Sequence, residues 1–99
     1  MVNHTVLWQL KESYTAQEKQ EIKAKIKQGL EGLTGVIPGL ISATVEIEPL
    51  VATNFDLALI STFESKEALL AYQENPAHLE VAGFVRSVVQ NRASIDYVC

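Results

Sequence analysis

The sequence predicts an α+β protein of the ferredoxin-like class, in which a four-stranded antiparallel sheet carries helices on one face. Two observations lead to this class. Segments that alternate apolar and polar residues are interrupted by segments with helical spacing, and their order is β-α-β-β-α-α-β, a split βαβ arrangement with a divided second helix. The length of 99 residues is that of one domain, and no linker or low-complexity segment divides residues 1–99.

The chain begins with a predicted strand and a long helix. Residues 2–11 alternate, with one face formed by His4, Val6, Trp8 and Leu10. A helix is predicted over residues 15–33, because Thr15 and Glu18 have the spacing of a capping box and apolar residues then recur every three or four positions. This apolar stripe consists of Ile22, Ile26, Leu30 and Leu33. Glycines and the segment IPGL then end the helix in a loop.

Two further strands follow without an intervening helix. Residues 40–48 alternate, with one face formed by Ile41, Ala43, Val45 and Ile47. The segment 49–54 is predicted to be a loop, and residues 55–63 form the next strand. The centre of that strand is apolar on both faces, so Ala58 and Ile60 point away from the helices if Phe55, Leu57 and Leu59 point toward them.

Two short helices and a last strand complete the chain. Ser65 is the predicted N-cap of the first helix, which ends before Pro76. A second helix starts with Asn75 as N-cap and Pro76 at its first position. Its apolar stripe consists of Val81, Phe84, Val85 and Val88. Residues 91–98 are predicted to form the last strand.

The second face of the sheet predicts a partner. Leu7 of the first strand points to the same side as Ala58 and Ile60. A sheet that is covered by helices on one face normally exposes polar residues on the other, and an apolar patch there indicates a covering partner. We therefore expect a homodimer in which two sheets pack face to face.

Composition argues against several classes of protein. The net charge of −4 and the lack of a basic stripe argue against nucleic-acid binding. No apolar run is long enough to span a bilayer, and the first residues do not resemble a signal peptide. The one cysteine, Cys99, cannot form an intramolecular disulfide, which is typical of a reducing compartment. We expect a cytoplasmic protein with neither membrane nor nucleic-acid partners.

The segment YQENPAHLE, residues 72–80, is the main candidate for a reactive site. With Asn75 as N-cap, His78 lies in the first turn of a helix, whose positive end disfavours a protonated imidazole. A neutral imidazole can act as a general base. The phenol of Tyr72 can donate a hydrogen bond to an oxyanion, since its unperturbed pKa is near ~10. His4, on the apolar face of the first strand, is either a third member of the site or a buried histidine.

The same residues also fit a purely structural role. Tyr72 can be a core residue with its hydroxyl at the surface, and His78 can serve only the helix start. No cysteine or adjacent carboxylate completes a zinc-type set with the histidines, so no metal site is predicted. Asp56 and Asp96 belong to strands, and their spacing does not indicate a catalytic pair. Phosphate-binding, dinucleotide-binding and serine-hydrolase motifs are absent.

Several segments, in order, resemble the stress-responsive dimeric A/B barrel (Dabb) domain family. They are HTVLWQLK at the start, IPG after the first helix, FDLALISTFESKEALLAYQENPAH in the middle and IDY at the end. The resemblance implies a ferredoxin-like protomer that dimerises through its sheets into an α/β barrel. Within the family, plant cyclases of the olivetolic acid type perform an aldol cyclisation without a cofactor. Their catalytic tyrosine and histidine match Tyr72 and His78, and a histidine that matches His4 borders their pocket.

The resemblance also implies a set of pocket residues. They are Val6, Trp8, Ile26, Leu30, Leu59, Val81, Phe84 and Val89. Ile26, Leu30 and Val89 stand where the plant cyclases have aromatic residues, so a small apolar or aromatic ligand is expected rather than a long alkyl polyketide. Some plant members hold a magnesium ion on backbone carbonyls that match the region of Glu31, Thr34 and Ile37, a site with no side-chain signature.

Three classes of function remain open. The first is a cofactor-free lyase, cyclase or isomerase that acts on a carbonyl compound. In it His78 removes a proton α to the carbonyl, Tyr72 stabilises the enolate oxygen and His4 orients the substrate. The second is a stress-associated binding or structural dimer without turnover. The third is haem degradation or quinol-type monooxygenation, which related barrels perform. An enclosed apolar pocket that holds the three side chains together would favour the first class over the second.

Overall fold

Four antiparallel strands form one sheet in the computed structural model, which describes residues 1–50 and 53–99. The elements are β1 (Val2–Leu10), α1 (Ala16–Glu31), β2 (Leu40–Glu46), β3 (Leu57–Phe63), α2 (Lys66–Glu74), α3 (Pro76–Val88) and β4 (Val89–Val98). The strand order is β2-β3-β1-β4, with every neighbouring pair antiparallel. This arrangement confirms the ferredoxin-like prediction. Two residues of the predicted loop 49–54, at positions 51 and 52, lie outside the described residues.

The helix starts follow the predicted capping residues. The Thr15 hydroxyl accepts from the Glu18 amide at 3.1 Å, and the Glu18 carboxylate accepts from the Thr15 amide at 2.8 Å. These two bonds satisfy free amides at the start of α1. Ser65 caps α2 through the Ala68 amide. Asn75 accepts from the Ala77 amide at 2.9 Å, which starts α3 directly after α2 ends.

The inner face of the sheet, which the helices cover, contains the core. Side chains of β1 alternate as predicted, and the buried ones are Val2, His4, Val6, Trp8 and Leu10. α1 packs Ile26 and Leu30 into the core, and Phe63 at the end of β3 is fully buried. Burial of these side chains provides the main stabilisation of the fold.

In β2, one residue lies on a different face of the strand from the one predicted. Ile41 was expected on the same face as Val45, but Ile41 is exposed whereas Val45 and Leu40 are buried. The pairing with β3 changes register between Leu40 and Ser42, so one additional residue is inserted at this point, as in a β-bulge. The predicted face is correct for Val45, which lies beyond the irregularity.

The starts of two strands differ from the prediction, and β1 and β2 end one and two residues earlier than predicted. β3 starts at Leu57 rather than at residue 55, and Asp56 directly before it is hydrogen-bonded to the end of β1. Its carboxylate accepts from the Leu10 amide at 2.8 Å, and its own amide donates to the Trp8 carbonyl at 2.9 Å. β4 starts at Val89, two residues before the predicted position, because α3 continues directly into the strand.

The outer face of the sheet is partly apolar. Ile60 and Ile95 are exposed, and Leu7 and Ala58 are half-buried beside them. The alternation of β1 and β3 therefore places these side chains on the predicted side. In residues 1–50 and 53–99, no helix combines the length and the hydropathy that crossing a bilayer requires.

Candidate functional site

A cavity of about 210 Å³ lies between the inner face of the sheet and the helices. β1 and β3 provide an apolar floor of Val6, Trp8 and Leu59, and α3 contributes Val85 to the opposite side. The polar groups His4, Tyr72 and His78 also line it. The cavity is smaller than the usual drug-sized ligand site of about 300–1,000 Å³, so it suits a small molecule.

Tyr72 and His78 face each other across the junction between α2 and α3. The Asn75 amide donates to the Tyr72 carbonyl at 3.1 Å, which closes the last turn of α2. Pro76 then begins α3, since its ring cannot continue α2. The short connection brings the two rings to a centroid separation of 4.2 Å. A proton donor and a proton acceptor therefore lie side by side in one cavity.

His4 extends this cluster from the floor of the cavity. Its ring centroid lies 6.4 Å from that of Tyr72 and 6.4 Å from that of Phe63, both in edge-on geometry. Phe63 in turn packs 4.8 Å from Tyr72. His4 and Tyr72 are buried, so the cluster belongs to the close-packed interior.

Asp96 holds the His4 ring from the neighbouring strand. The β1–β4 pairing places Asp96 directly opposite His4, and the His4 Nδ1 bonds to the Asp96 carboxylate. A neutral imidazole that donates Nδ1–H has its lone pair at Nε2, so the carboxylate sets the tautomer. Sequence analysis gave Asp96 no role. Asp96 could have been identified only from the antiparallel register of the first and last strands, which pairs it with His4.

The environment sets the protonation of the two facing residues. Burial lowers the pKa of His78, and the proximity of His4, Arg86 and Arg92 lowers this pKa further, against an opposing effect of the Gln73 backbone. Burial raises the pKa of Tyr72 to about 12. At neutral pH the imidazole is therefore neutral and the phenol keeps its proton. The Nδ1 atom of His78 is buried and, among the described residues, has no hydrogen-bond partner.

The structure brings together most of the predicted pocket residues. Those on the cavity wall are Val6, Trp8, Leu30, Leu59 and Val89, together with His4, Tyr72 and His78. Three predicted residues do not line the cavity, which corrects the expected wall. Ile26 is fully buried in the core. Val81 packs against Gly29 of α1, and Phe84 lies 4.1 Å beneath the Lys25 ammonium, because this edge of α3 faces α1 instead of the sheet.

Five cavity residues were not predicted. They are Gln73, Ala82, Val85, Arg86 and Arg92. Helical spacing could have identified three of them, since Ala82, Val85 and Arg86 follow His78 at four, seven and eight positions and share its face of α3. Arg92 could have been identified only from the strand register that places it opposite Trp8.

Side chains that commonly bind metal ions are not clustered in the described residues. No three His, Cys, Asp or Glu side chains in residues 1–50 and 53–99 lie close enough together to bind an ion. At the end of α1, the carbonyls of Glu31 and Ile37 accept from the amides of Thr34 and Leu40. The Glu31 carboxylate is bound to the Lys27 ammonium and to the Val45 amide. A carbonyl oxygen that accepts one hydrogen bond keeps a second lone pair, so the magnesium site that the family resemblance implies stays a prediction.

Solved structures share this fold at low sequence identity. A dimeric protein of unknown function with a ferredoxin-like fold from Bacteroides fragilis is 24% identical with a TM-score of 0.91, covering 97% of this chain and 93% of that chain. A hydroxynitrile lyase from Passiflora edulis is 20% identical with a TM-score of 0.76, covering 99% and 92%. A putative antibiotic biosynthesis monooxygenase from Nitrosomonas europaea is 13% identical with a TM-score of 0.76, covering 100% and 98%. At these identities the likeness establishes the fold.

The sequence itself identifies the family. No curated protein matches the chain at a significant level. The sequence profile described as the stress responsive A/B barrel domain, however, matches residues 2–99. The chain therefore belongs to the Dabb family of stress-responsive A/B barrel domains.

Proposed function

We propose that the protein binds a small carbonyl compound and catalyses a cofactor-free proton transfer on it, as a lyase, cyclase or isomerase. One observation carries this proposal: the ring centroids of Tyr72 and His78 lie 4.2 Å apart in a largely apolar cavity. The buried Nδ1 of His78 has no partner in the described structure, and an unsatisfied buried polar atom costs about 1–3 kcal/mol. Such a cost is typical of a functional group whose partner arrives with the ligand.

In the proposed reaction, the neutral His78 imidazole accepts a proton from the carbon α to the carbonyl. The C–H electron pair forms a C=C bond while the C=O π pair moves to the oxygen, and the Tyr72 hydroxyl donates a hydrogen bond to the resulting enolate oxygen. His4, held by Asp96, orients the substrate at the floor of the cavity. The imidazolium returns its proton to carbon in an isomerisation, or to a leaving or newly formed oxygen in a lyase or cyclase reaction.

Similarity to known proteins supports this class of chemistry in part. Tyr72 and His78 match the catalytic pair in the resemblance to plant cyclases of the olivetolic acid type. A structural neighbour is named a hydroxynitrile lyase, and another a putative monooxygenase. The cavity of about 210 Å³ favours a ligand much smaller than a long-chain polyketide.

We also propose that two protomers pack through the outer faces of their sheets. Ile60 and Ile95 are 38% and 61% exposed in the single chain, and burying both against a second copy is favourable. Structural neighbours from Bacteroides fragilis and Thermobifida fusca are described as dimeric. The cavity opens on the other face of the sheet, so each protomer keeps its own site.

Proton exchange tests the proposed activity directly. Small ketones and aldehydes such as phenylacetone and phenylacetaldehyde are incubated in D₂O, and loss of the α-proton signal is followed by NMR. We expect exchange above the buffer rate, and a decrease of about 10²–10⁴-fold in Tyr72→Phe and in His78→Gln. Tyr14→Phe is the matched control, since Tyr14 does not line the cavity. Equal exchange in the native protein and His78→Gln would rule out this role for the imidazole.

The same ketones and aldehydes distinguish an enzyme from the alternative, a binding dimer without turnover. Trp8 is the one tryptophan of the chain and lines the cavity, so its fluorescence reports occupancy. Binding of these ligands without exchange above the buffer rate would favour a stress-associated binding protein over an enzyme.

A further inference from the structure

Both arginines of the chain line the cavity. Arg86 comes from α3 and Arg92 from β4, whereas none of the six lysines contributes to this cavity. The chain as a whole carries a net charge of −4. The two guanidinium groups therefore concentrate positive charge at this cavity in an otherwise acidic protein.

The fold directs each arginine to this place by a separate rule. Arg86 follows His78 by eight residues, so both lie on the same face of α3. Arg92 pairs with the inward-facing Trp8, so it lies on the inner face of β4. Both arginines are exposed, whereas His4 and Tyr72 are buried, so the charges lie at the open end of the cavity.

The guanidinium groups keep free hydrogen-bonding capacity. Arg92 donates one bond, to the Ser94 hydroxyl at 3.2 Å. Within the described part of the chain, neither arginine forms a salt bridge with a carboxylate. The carboxylate of Asp96, on the same face of β4 as Arg92, is bound to His4. Because an arginine has five N–H donors, most donors of this pair remain available to a ligand.

We propose that the ligand carries an oxyanion group, a carboxylate or a phosphate, which Arg86 and Arg92 bind at the cavity mouth. Its apolar part then enters the space between Val6, Trp8 and Leu59. Arginine suits this role, because its planar donors match the oxygens of a carboxylate or phosphate in pairs. The inference deepens the proposed function by naming the substrate class, and it rests on the same cavity being the active site.

The inner end of the cavity is consistent with this orientation. A ligand anchored by its anion at the mouth presents its other end to Tyr72 and His78, and an adjacent carbonyl then meets the donor and the base. The positive charges of Arg86 and Arg92 also contribute to the lowered pKa of His78, which places them within electrostatic range of the base.

The test compares three probes of similar shape by Trp8 fluorescence: benzoate, phenyl phosphate and benzamide. We expect at least one anion to bind at least about tenfold more tightly than neutral benzamide, as charge-assisted hydrogen bonds imply. In the double variant Arg86→Gln/Arg92→Gln the ratio of anion affinity to benzamide affinity should fall to about one. The relative affinity of benzoate and phenyl phosphate identifies which oxyanion the mouth accepts.

A charge-matched variant excludes a general electrostatic effect. Lys19→Gln/Lys66→Gln removes the same two charges at positions that do not line the cavity, and it should keep the preference for the anion. Equal binding of benzamide and both anions, failure of both anions to bind at millimolar concentration, or equal losses in the two double variants would overturn the proposal. Because the readout is binding, it is independent of proton exchange. An anion preference can stand without turnover, and turnover can stand without an anion preference.

Discussion

The carboxylate of Asp96 holds the Nδ1 of His4 across the β1–β4 strand pair. His4 is buried, whereas the side chain of Asp96 is 44% exposed. The imidazole thus faces the cavity with its orientation set by a carboxylate that solvent can reach. Orienting partners of this kind fix which ring nitrogen of a histidine carries the proton. In the proposed site, Asp96 is therefore a positioning residue that acts through His4.

Replacing Asp96 should change the His4 tautomer before it changes the fold. In Asp96→Ala, ¹⁵N NMR should show loss of the single Nδ1–H form and a mixture of tautomers. Proton exchange should fall by roughly tenfold, since the orienting partner of a functional histidine is typically worth that much or more. Asn91→Ala, a substitution of an exposed residue on the opposite face of the same strand, should change neither. An unaltered ¹⁵N spectrum in Asp96→Ala would show that Asp96 does not control the ring.

Acid should destabilise the protein in part through His78. The pKa of His78 in the folded protein lies below the unfolded value of about 6.5, so the unfolded chain takes up the proton first as pH falls. The contribution of His78 to the free energy of unfolding is complete above about pH 6.5. Below this pH the contribution decreases until the pH falls below the folded-state pKa. Urea denaturation over this range should show a smaller decline in His78→Gln than in the native protein. If the stability of both proteins declined equally with pH, groups other than His78 would be responsible for the acid sensitivity.

Local sequence signals predicted the elements of this fold well, and long-range pairing explains what they missed. Thr15, Ser65 and Asn75 cap their helices through neighbours two or three residues away, so their roles are visible in the sequence. The irregularity at Ile41 depends on how β2 pairs with β3, which spacing within β2 does not show.

The residues of the candidate site also fall into two groups, those placed by local sequence and those placed by long-range strand pairing. The juxtaposition of Tyr72 and His78 follows from one short turn and was predictable. Only the β1–β4 register brings Asp96 to His4 and Arg92 to the cavity, and this register connects residues about ninety positions apart in the chain. Arg86 shares a helix face with His78 and could have been found from spacing alone.

A charge on the outer face of the sheet should separate the proposed dimer. Ile60 is paired with Thr5 of β1 at the centre of that face, so Ile60→Lys would place an ammonium group inside a sheet-to-sheet interface. Sedimentation should give about twice 10.9 kDa for the native protein and 10.9 kDa for the variant. Leu70→Lys alters an exposed leucine of α2 and should leave the dimer intact. A native monomer at micromolar concentration would contradict the dimer proposal.

Gly39 should tolerate no side chain, for two separable reasons. Its φ of +84° is in the left-handed region, and a Cβ there would lie 2.5 Å from the Cβ of Ala68 in α2. Gly39→Ala should therefore cost about 1–2 kcal/mol for the backbone and about 1–3 kcal/mol for the overlap. Gly35→Ala isolates the backbone cost, because Gly35 has a φ of +86° and no atom within 4 Å of its Cβ position.

Urea denaturation of three variants checks this division. Gly39→Ala should be the least stable, Gly35→Ala should show only the backbone cost, and Gly39→Ala/Ala68→Gly should recover the part due to the overlap. Equal losses in Gly39→Ala and Gly35→Ala would mean that α2 moves away at little cost. In that case the contact between Gly39 and Ala68 would not fix the position of α2, and the placement of Tyr72 against His78 would depend on the Asn75–Pro76 junction instead.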